Sequence, residues 1–375
     1  MELDAQAPWR RHTIDSSSKG ADGVRLADMN GDGRLDVVTG WEEGGKIRCY
    51  QHPGNAVRER WPMQEVADVL SPEDAVFVDL NRDGRLEIVS SCEGQERQIY
   101  VHSQAASGNW TTKSVQTVAG QAMWMYALPL DIDQHSGPEL MIGSKGQGGG
   151  IGWLQALGNP LDSDPWHYHH LRDAGWIMSL ESVDMDGDGD QDVVVSDRRG
   201  PTSGVFWLEQ PTYASAKWIE HPIGALGDEV MFLDVVDFNQ DGLVDVIAPI
   251  KPTTIAIWSQ VGGNPQWTEQ RLDVSHQDTG RVKAVRAGDL DQDGDLDLVI
   301  SCEGATDGKR GIVCLLQSDS DGWQMRDVSG PDGIKFDHMK LLDIDADGDL
   351  DVLTCEERDD LGVIWYENPF NPGAQ

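Results

Sequence analysis

Asp184, Asp186, Asp188 and Asp192 stand at positions 1, 3, 5 and 9 of a nine-residue stretch, with Gly189 at position 6. Carboxylates at that spacing, bent by a glycine, can point several hard oxygens at one centre. That is the coordination calcium takes. An EF-hand opens the same way but places its last acid at position 12 between helices. Here Val193, Val194 and Val195 follow at once, so the loop is expected to join two β-strands.

The stretch recurs at a period of 51 to 54 residues, within the range of propeller and solenoid repeats. The other complete copies are Asp28, Asn30, Asp32 and Asp36; Asp79, Asn81, Asp83 and Glu87; Asp237, Asn239, Asp241 and Asp245; Asp289, Asp291, Asp293 and Asp297; and Asp343, Asp345, Asp347 and Asp351. A copy at Asp131 to Glu139 is degenerate, with His135 and Ser136 at positions 5 and 6, and is expected to be weak or empty. About six structural Ca²⁺ sites are therefore expected.

The elements that must hold these loops can be read around them. An apolar strand enters each loop and a second leaves it. A glycine-rich connection leads to a third strand, such as Gly204-Val205-Phe206-Trp207-Leu208. A turn then leads to a fourth strand opening near Trp9, Trp61, Trp110, Trp166, Trp218, Trp267 or Trp323. Four short strands repeated seven times predict an all-β, seven-bladed β-propeller, read as one domain over residues 1–375. The chain opens with a fourth strand at Trp9 and closes with a third at Trp365. The N-terminal strand should therefore complete the last blade and remove a free edge.

The loops, with the Gly-Val-Ile-Trp-Tyr-Glu-Asn-Pro run at 362–369, resemble FG-GAP/VCBS repeat propellers of the integrin-like superfamily. The resemblance spans Trp9 to Pro369. It implies the propeller fold and calcium in the strand-connecting loops. Adhesion domains, lectins and polysaccharide lyases share that fold, so it does not fix a function.

Composition narrows the partners. Net charge is −36, and the loops supply 24 of the 65 acidic residues. Nucleic acid and anionic membranes are unsuitable general partners for such a surface. No apolar run is long enough to span a membrane. Weak multi-site loops suit millimolar calcium and hence a secreted or periplasmic setting. Five cysteines, an odd number, do not suggest a disulfide framework. Cys92, Cys302 and Cys355 read as small buried residues more readily than as a zinc site. His12, His169, His170 and His221 read as surface residues of outer strands.

Six residues past each ninth position lie Glu42, Glu93, Lys145, Arg198, Lys251, Glu303 and Glu357, all charged. Six before each first aspartate lie Asp22, Glu73, Met125, Met178, Met231, Lys283 and Asp337. Both sets are expected at one mouth of a central channel. There they predict a basic arc facing an acidic arc, and the acids could also hold a further divalent metal. Trp41, Trp124 and Trp176 fall outside the packing pattern and are candidates for stacking on a sugar.

Two function classes fit. In the first, the chain is a carbohydrate lyase or dehydratase acting by β-elimination. His338, Tyr126 and Lys283 would be the proton-transfer candidates. Lys145, Arg198, Lys251 and Arg281 would hold an anionic sugar, with Asp22, Glu42, Glu73, Glu93 and Asp337 nearby. In the second, the same surface belongs to a non-catalytic lectin or adhesion propeller. Differences between blades at the channel favour one asymmetric site, which leans the expectation towards the enzyme.

Overall fold

A computed structural model describes residues 7–370 except 134–136, 165, 215, 263–265, 276–277 and 319–321. The chain is all-β: seven sheets of four antiparallel strands, the blades of a seven-bladed β-propeller. Helix among the described residues is confined to short 3₁₀ turns, such as Gly54–Ala56 and Gln116–Val118. No helix there is long and apolar enough to cross a membrane.

The chain divides into two compact units. One comprises Met1–Val24, His52–Pro62 and Met231–Gln375; the other comprises Arg25–Gln51 and Met63–Val230. In the first unit, strand Arg10–Asp15 pairs with Gly362–Glu367 and completes the sheet of Asp351–Glu356 and Phe336–Leu342. The expected closure by the N-terminal strand is present.

Every second strand starts on the ninth loop residue, at Asp36, Glu87, Glu139, Asp192, Asp245, Asp297 and Asp351. These strands are buried along almost their whole length, which accounts for their continuous apolar runs. Fourth strands such as Gln266–Asp273 are mostly exposed.

One cross-strand pairing recurs. A third-strand tryptophan lies opposite a fourth-strand histidine in the pairs Trp365–His12, Trp153–His169 and Trp207–His221. The rings stack with centroids 4.4, 3.8 and 4.2 Å apart. These three histidines are therefore packing partners, and His12 is buried. The surface reading fails for His12; His169 and His221 are half-buried against their tryptophans, and His170 is exposed as expected.

Candidate functional site

The repeated loops share one hydrogen-bond scheme. In all seven, the ninth carboxylate accepts the backbone N–H of position 2, from Met29 to Asp36 (3.0 Å) through Ile344 to Asp351 (3.0 Å). In the six complete loops, the first aspartate accepts the N–H of the position-6 glycine. Those glycines have φ of 82 to 101°, where a side chain would be strained. Each ninth acid is buried, so its charge must be matched locally.

The carboxylates converge as a cation site requires. Ligand oxygens of Asp184, Asp186 and Asp192 lie within 4.8 Å of one another, as do those of Asp289, Asp291 and Asp297. Oδ1 of Asp289 and Oδ1 of Asp291 are buried and accept no hydrogen bond among the described residues. Burial, with repulsion from neighbouring loop acids, pushes Asp297 up to about 6, Asp192 up to about 7 and Asp351 up to about 8. Buried, crowded carboxylates with unfilled oxygens fit a divalent cation. Asp131, Asp133 and Glu139 converge similarly, but Arg82 Nη2 donates to Asp131 at 2.8 Å. His135 and Ser136, on which the expected weakness rested, lie outside the described residues.

The residues six before each loop are set by backbone irregularity. Register between first and second strands shifts at Pro72/Asp74, Trp124/Tyr126, Ile177/Ser179 and Val282/Ala284. The residue passed over is Glu73, Met125, Met178 or Lys283. In the seventh blade the shift passes over Asp337 and His338. Such bulges re-aim a side chain out of the pleat, so the charges at these positions share an origin.

Within each unit the charges at these positions are paired. In the second unit, Lys145 pairs with Glu93 and, at 3.2 Å, with Glu73. Glu42 belongs to the same network. Burial raises the Glu73 carboxyl well above the usual range, and Glu93 and Glu42 reinforce the rise against the pull of Lys145. Burial would also raise Glu93, but the charge and hydrogen bond of Lys145, with hydrogen bonds from Glu73 and Glu42, together lower it. Arg198 is tied to Glu229, with Nε to Oε1 at 2.7 Å. In the first unit, Lys251 and Arg281 share Glu303, Lys283 pairs with Asp337, and Lys335 pairs with Glu357. The cations of the expected basic arc are therefore engaged by carboxylates rather than left open to an anionic ligand. Each cation has a carboxylate within reach, because an unpaired buried charge is costly.

The proton-transfer candidates are enclosed. Lys283 is buried; desolvation pulls its pKa down, but Asp337, Asp22 and Glu357 together outweigh it and raise the pKa. Asp337 is held low by Lys283 despite its own burial. Asp22, Asp337 and Glu357 do bring carboxylate oxygens within 4.8 Å of one another. Lys283 and Lys335 already supply charge there. His338 is buried, and its Nε2 is engaged by Arg286. Tyr126 is buried beneath Arg25, whose guanidinium carbon is 5.5 Å from the ring centroid. Arg25 in turn donates to Asp74 at 3.0 Å.

Two of the three stacking candidates are corrected. Trp41 is fully buried and donates its indole N–H to Tyr50 Oη at 3.0 Å. Trp124 is buried and donates to the Val118 carbonyl at 3.3 Å. Neither has a face for a ligand. Trp176 is half-buried, with Arg198 and Lys145 at 4.4 and 4.5 Å from its ring.

Sequence reasoning missed a groove in the second unit. A cavity of about 840 Å³ is lined by Trp153, His169, Arg172, Lys217, Trp218 and Glu220, among others. Arg172 bonds Glu220 at 3.1 Å and lies 4.0 Å over Phe206. The available signal was the ring-rich run Trp166-His167-Tyr168-His169-His170.

Comparisons agree with this architecture. A family model described as "FG-GAP-like repeat" matches residues 28–90, 184–248 and 237–300. Each match begins on a first loop aspartate and extends past the following loop. No curated protein matches the chain. Among solved structures, the chain is similar to a crystal structure of BBS1N in complex with ARL6DN, soaked with mercury. That match has a TM-score of 0.58 and 9% identity, covering 99% of this chain and 98% of that one. At that identity the likeness concerns the fold alone.

Proposed function

We propose, on the premise that this chain is an FG-GAP-repeat β-propeller, that it is a calcium-loaded, non-catalytic module that binds a carbohydrate. The loop acids would hold the ions, and calcium would cross-link the strand connections rather than take part in chemistry. Such loops suit a calcium-rich setting outside the cytoplasm.

The observation that carries the binding reading is the groove between strands Trp166–Asp173 and Ile219–Gly224. It combines aromatic rings with a planar arginine–carboxylate pair. Rings suit the apolar face of a sugar, and planar polar groups suit its hydroxyls. A cavity of that size is in the range of small-molecule sites. The expected test is a glycan screen on calcium-loaded protein, followed by calorimetry on Glu220→Gln and His169→Ala. Loss of affinity by roughly tenfold in either variant supports the groove, since one lost charged hydrogen bond costs about 1.5–3 kcal/mol. Equal binding by both variants would refute it.

The lyase or dehydratase reading keeps the ligand class and adds a proton transfer by Lys283, His338 or Tyr126. Those side chains would first have to leave their partners, so it ranks second. Ultraviolet absorbance from an unsaturated uronate product would reverse that order.

A further inference from the structure

We infer that calcium loops five, six and seven bind their ions in series, coupled by the glutamine at position 4 of each donor loop. This inference rests on the calcium reading of the loops.

Position 4 is left-handed in every complete loop. The glycines Gly31 and Gly187 have φ of 73 and 79°, and Arg82, Gln240, Gln292 and Ala346 have 56, 58, 61 and 63°. That backbone is unfavourable for an ordinary side chain. Three of these residues reach the next loop: Arg82 meets the Asp131 carboxylate, whereas the two glutamines meet a backbone carbonyl. Gln240 Nε2 donates to the carbonyl of Gly294 at 2.7 Å, and Gln292 Nε2 donates to that of Gly348 at 2.8 Å. Both acceptors are position 6 of the following loop. The geometry is therefore repeated one blade on.

The bond continues into a ligand carboxylate. The Gly294 carbonyl belongs to the same peptide as the Asp295 N–H, which donates to Asp293 Oδ1 at 3.0 Å. The Gly348 peptide likewise presents the Asp349 N–H to Asp347 Oδ1 at 3.3 Å. Asp293 and Asp347 are the position-5 acids. A donor on the carbonyl polarises the amide and strengthens its N–H bond, because hydrogen bonds in a chain reinforce one another. An ion in loop five fixes the backbone that carries Gln240, and this orders a ligand of loop six. Loop six acts on loop seven through Gln292 in the same way. By linkage the effect is reciprocal. The chain stops at loop seven, where position 4 is Ala346.

Both glutamines are exposed, so each bridge is expected to shift affinity only about 2- to 5-fold, the low end for a net hydrogen bond. The test uses the full chain, stripped with chelator and titrated with calcium by calorimetry. Gln240→Met/Gln292→Met keeps side-chain length and removes both donors. Gln191→Met, at an exposed position of loop four, is the control. The expected result is a steeper wild-type isotherm, with the double variant shallower and its half-saturation raised about 2- to 5-fold. Gln292→Met alone should show part of that change, and the control none. Superimposable wild-type and double-variant isotherms would overturn the coupling while leaving calcium binding intact. A wild type that takes up no calcium would overturn the calcium reading and the coupling together. Matching melting curves in saturating calcium would establish that the variants are folded.

Discussion

The guanidinium of Arg286 hydrogen-bonds Nε2 of His338 inside the first unit. Arg286 also donates to the carbonyls of Leu233 (2.5 Å) and Met339 (3.1 Å) and to Asp234 Oδ1 (3.2 Å). It ties segments of three blades, with His338 as one of its acceptors. A histidine whose ring nitrogen already accepts from an arginine is poorly placed to take a substrate proton.

Arg286→Met should therefore cost stability, about 3–5 kcal/mol, because it strands Asp234 and several buried acceptors. His338→Gln should cost less, about 1–3 kcal/mol, since its amide oxygen can still accept. Urea denaturation in saturating calcium measures both. Glycan affinity per folded molecule should not change in either variant. A glycan-dependent activity lost in His338→Gln without loss of stability would restore the proton-transfer role.

Calcium removal should lower the melting temperature, because an ion bound only by the native state stabilises it. The pH dependence should also change sign. Without calcium, Asp297, Asp192 and Asp351 are raised to about 6, 7 and 8 in the folded chain. Their unfolded reference is about 3.9. Between those limits the folded state holds more protons, so stability rises as pH falls from about 8 towards 5. With calcium, acid competes with the ion and stability should fall over the same range. Scanning calorimetry at pH 5.5 and 8, with and without chelator, tests this. A chelated protein that melts higher at pH 8 would contradict it.

The fold was legible because the loops are nearly invariant in spacing, and each must sit between two strands. The ninth acid shows where legibility ended. Its type suggested a ligand, yet it also accepts the position-2 N–H, which no spacing reveals. The ring of charges was visible as charge but not as pairing. Glu229 and Lys335, which hold Arg198 and Glu357, lie outside the repeated positions. The bulges that aim Glu73 and Lys283 depend on register between strands. Trp41 stood out as a surface ring because it falls outside the packing pattern of the other tryptophans, yet it is fully buried and its indole N–H is held by Tyr50.

Trp41→Ala should accordingly cost about 3–5 kcal/mol, as expected for a large buried aromatic. Tyr50→Phe should cost about 1–3 kcal/mol by leaving the Trp41 indole N–H without its acceptor. Neither should alter glycan affinity in the folded fraction. A Trp41→Ala protein of unchanged stability but lost glycan binding would return Trp41 to the binding surface.

Strand Arg10–Asp15 carries the last prediction. It pairs with Gly362–Glu367 over a run that includes Arg10 to Glu367 and His12 to Trp365. His12 adds a 2.6 Å bond to Glu367. Removing residues 1–16 would leave Gly362–Glu367 as an unpaired edge, with Trp365 uncovered on one face. Exposed edges of this kind recruit other strands. The truncated chain should self-associate in light scattering and melt several degrees lower. A synthetic peptide covering residues 8–16 should reverse the added self-association by strand addition, whereas the same peptide with His12→Asp should reverse it less well. A truncated chain that matches the full-length protein in light scattering and in melting would show that the strand is dispensable for closure.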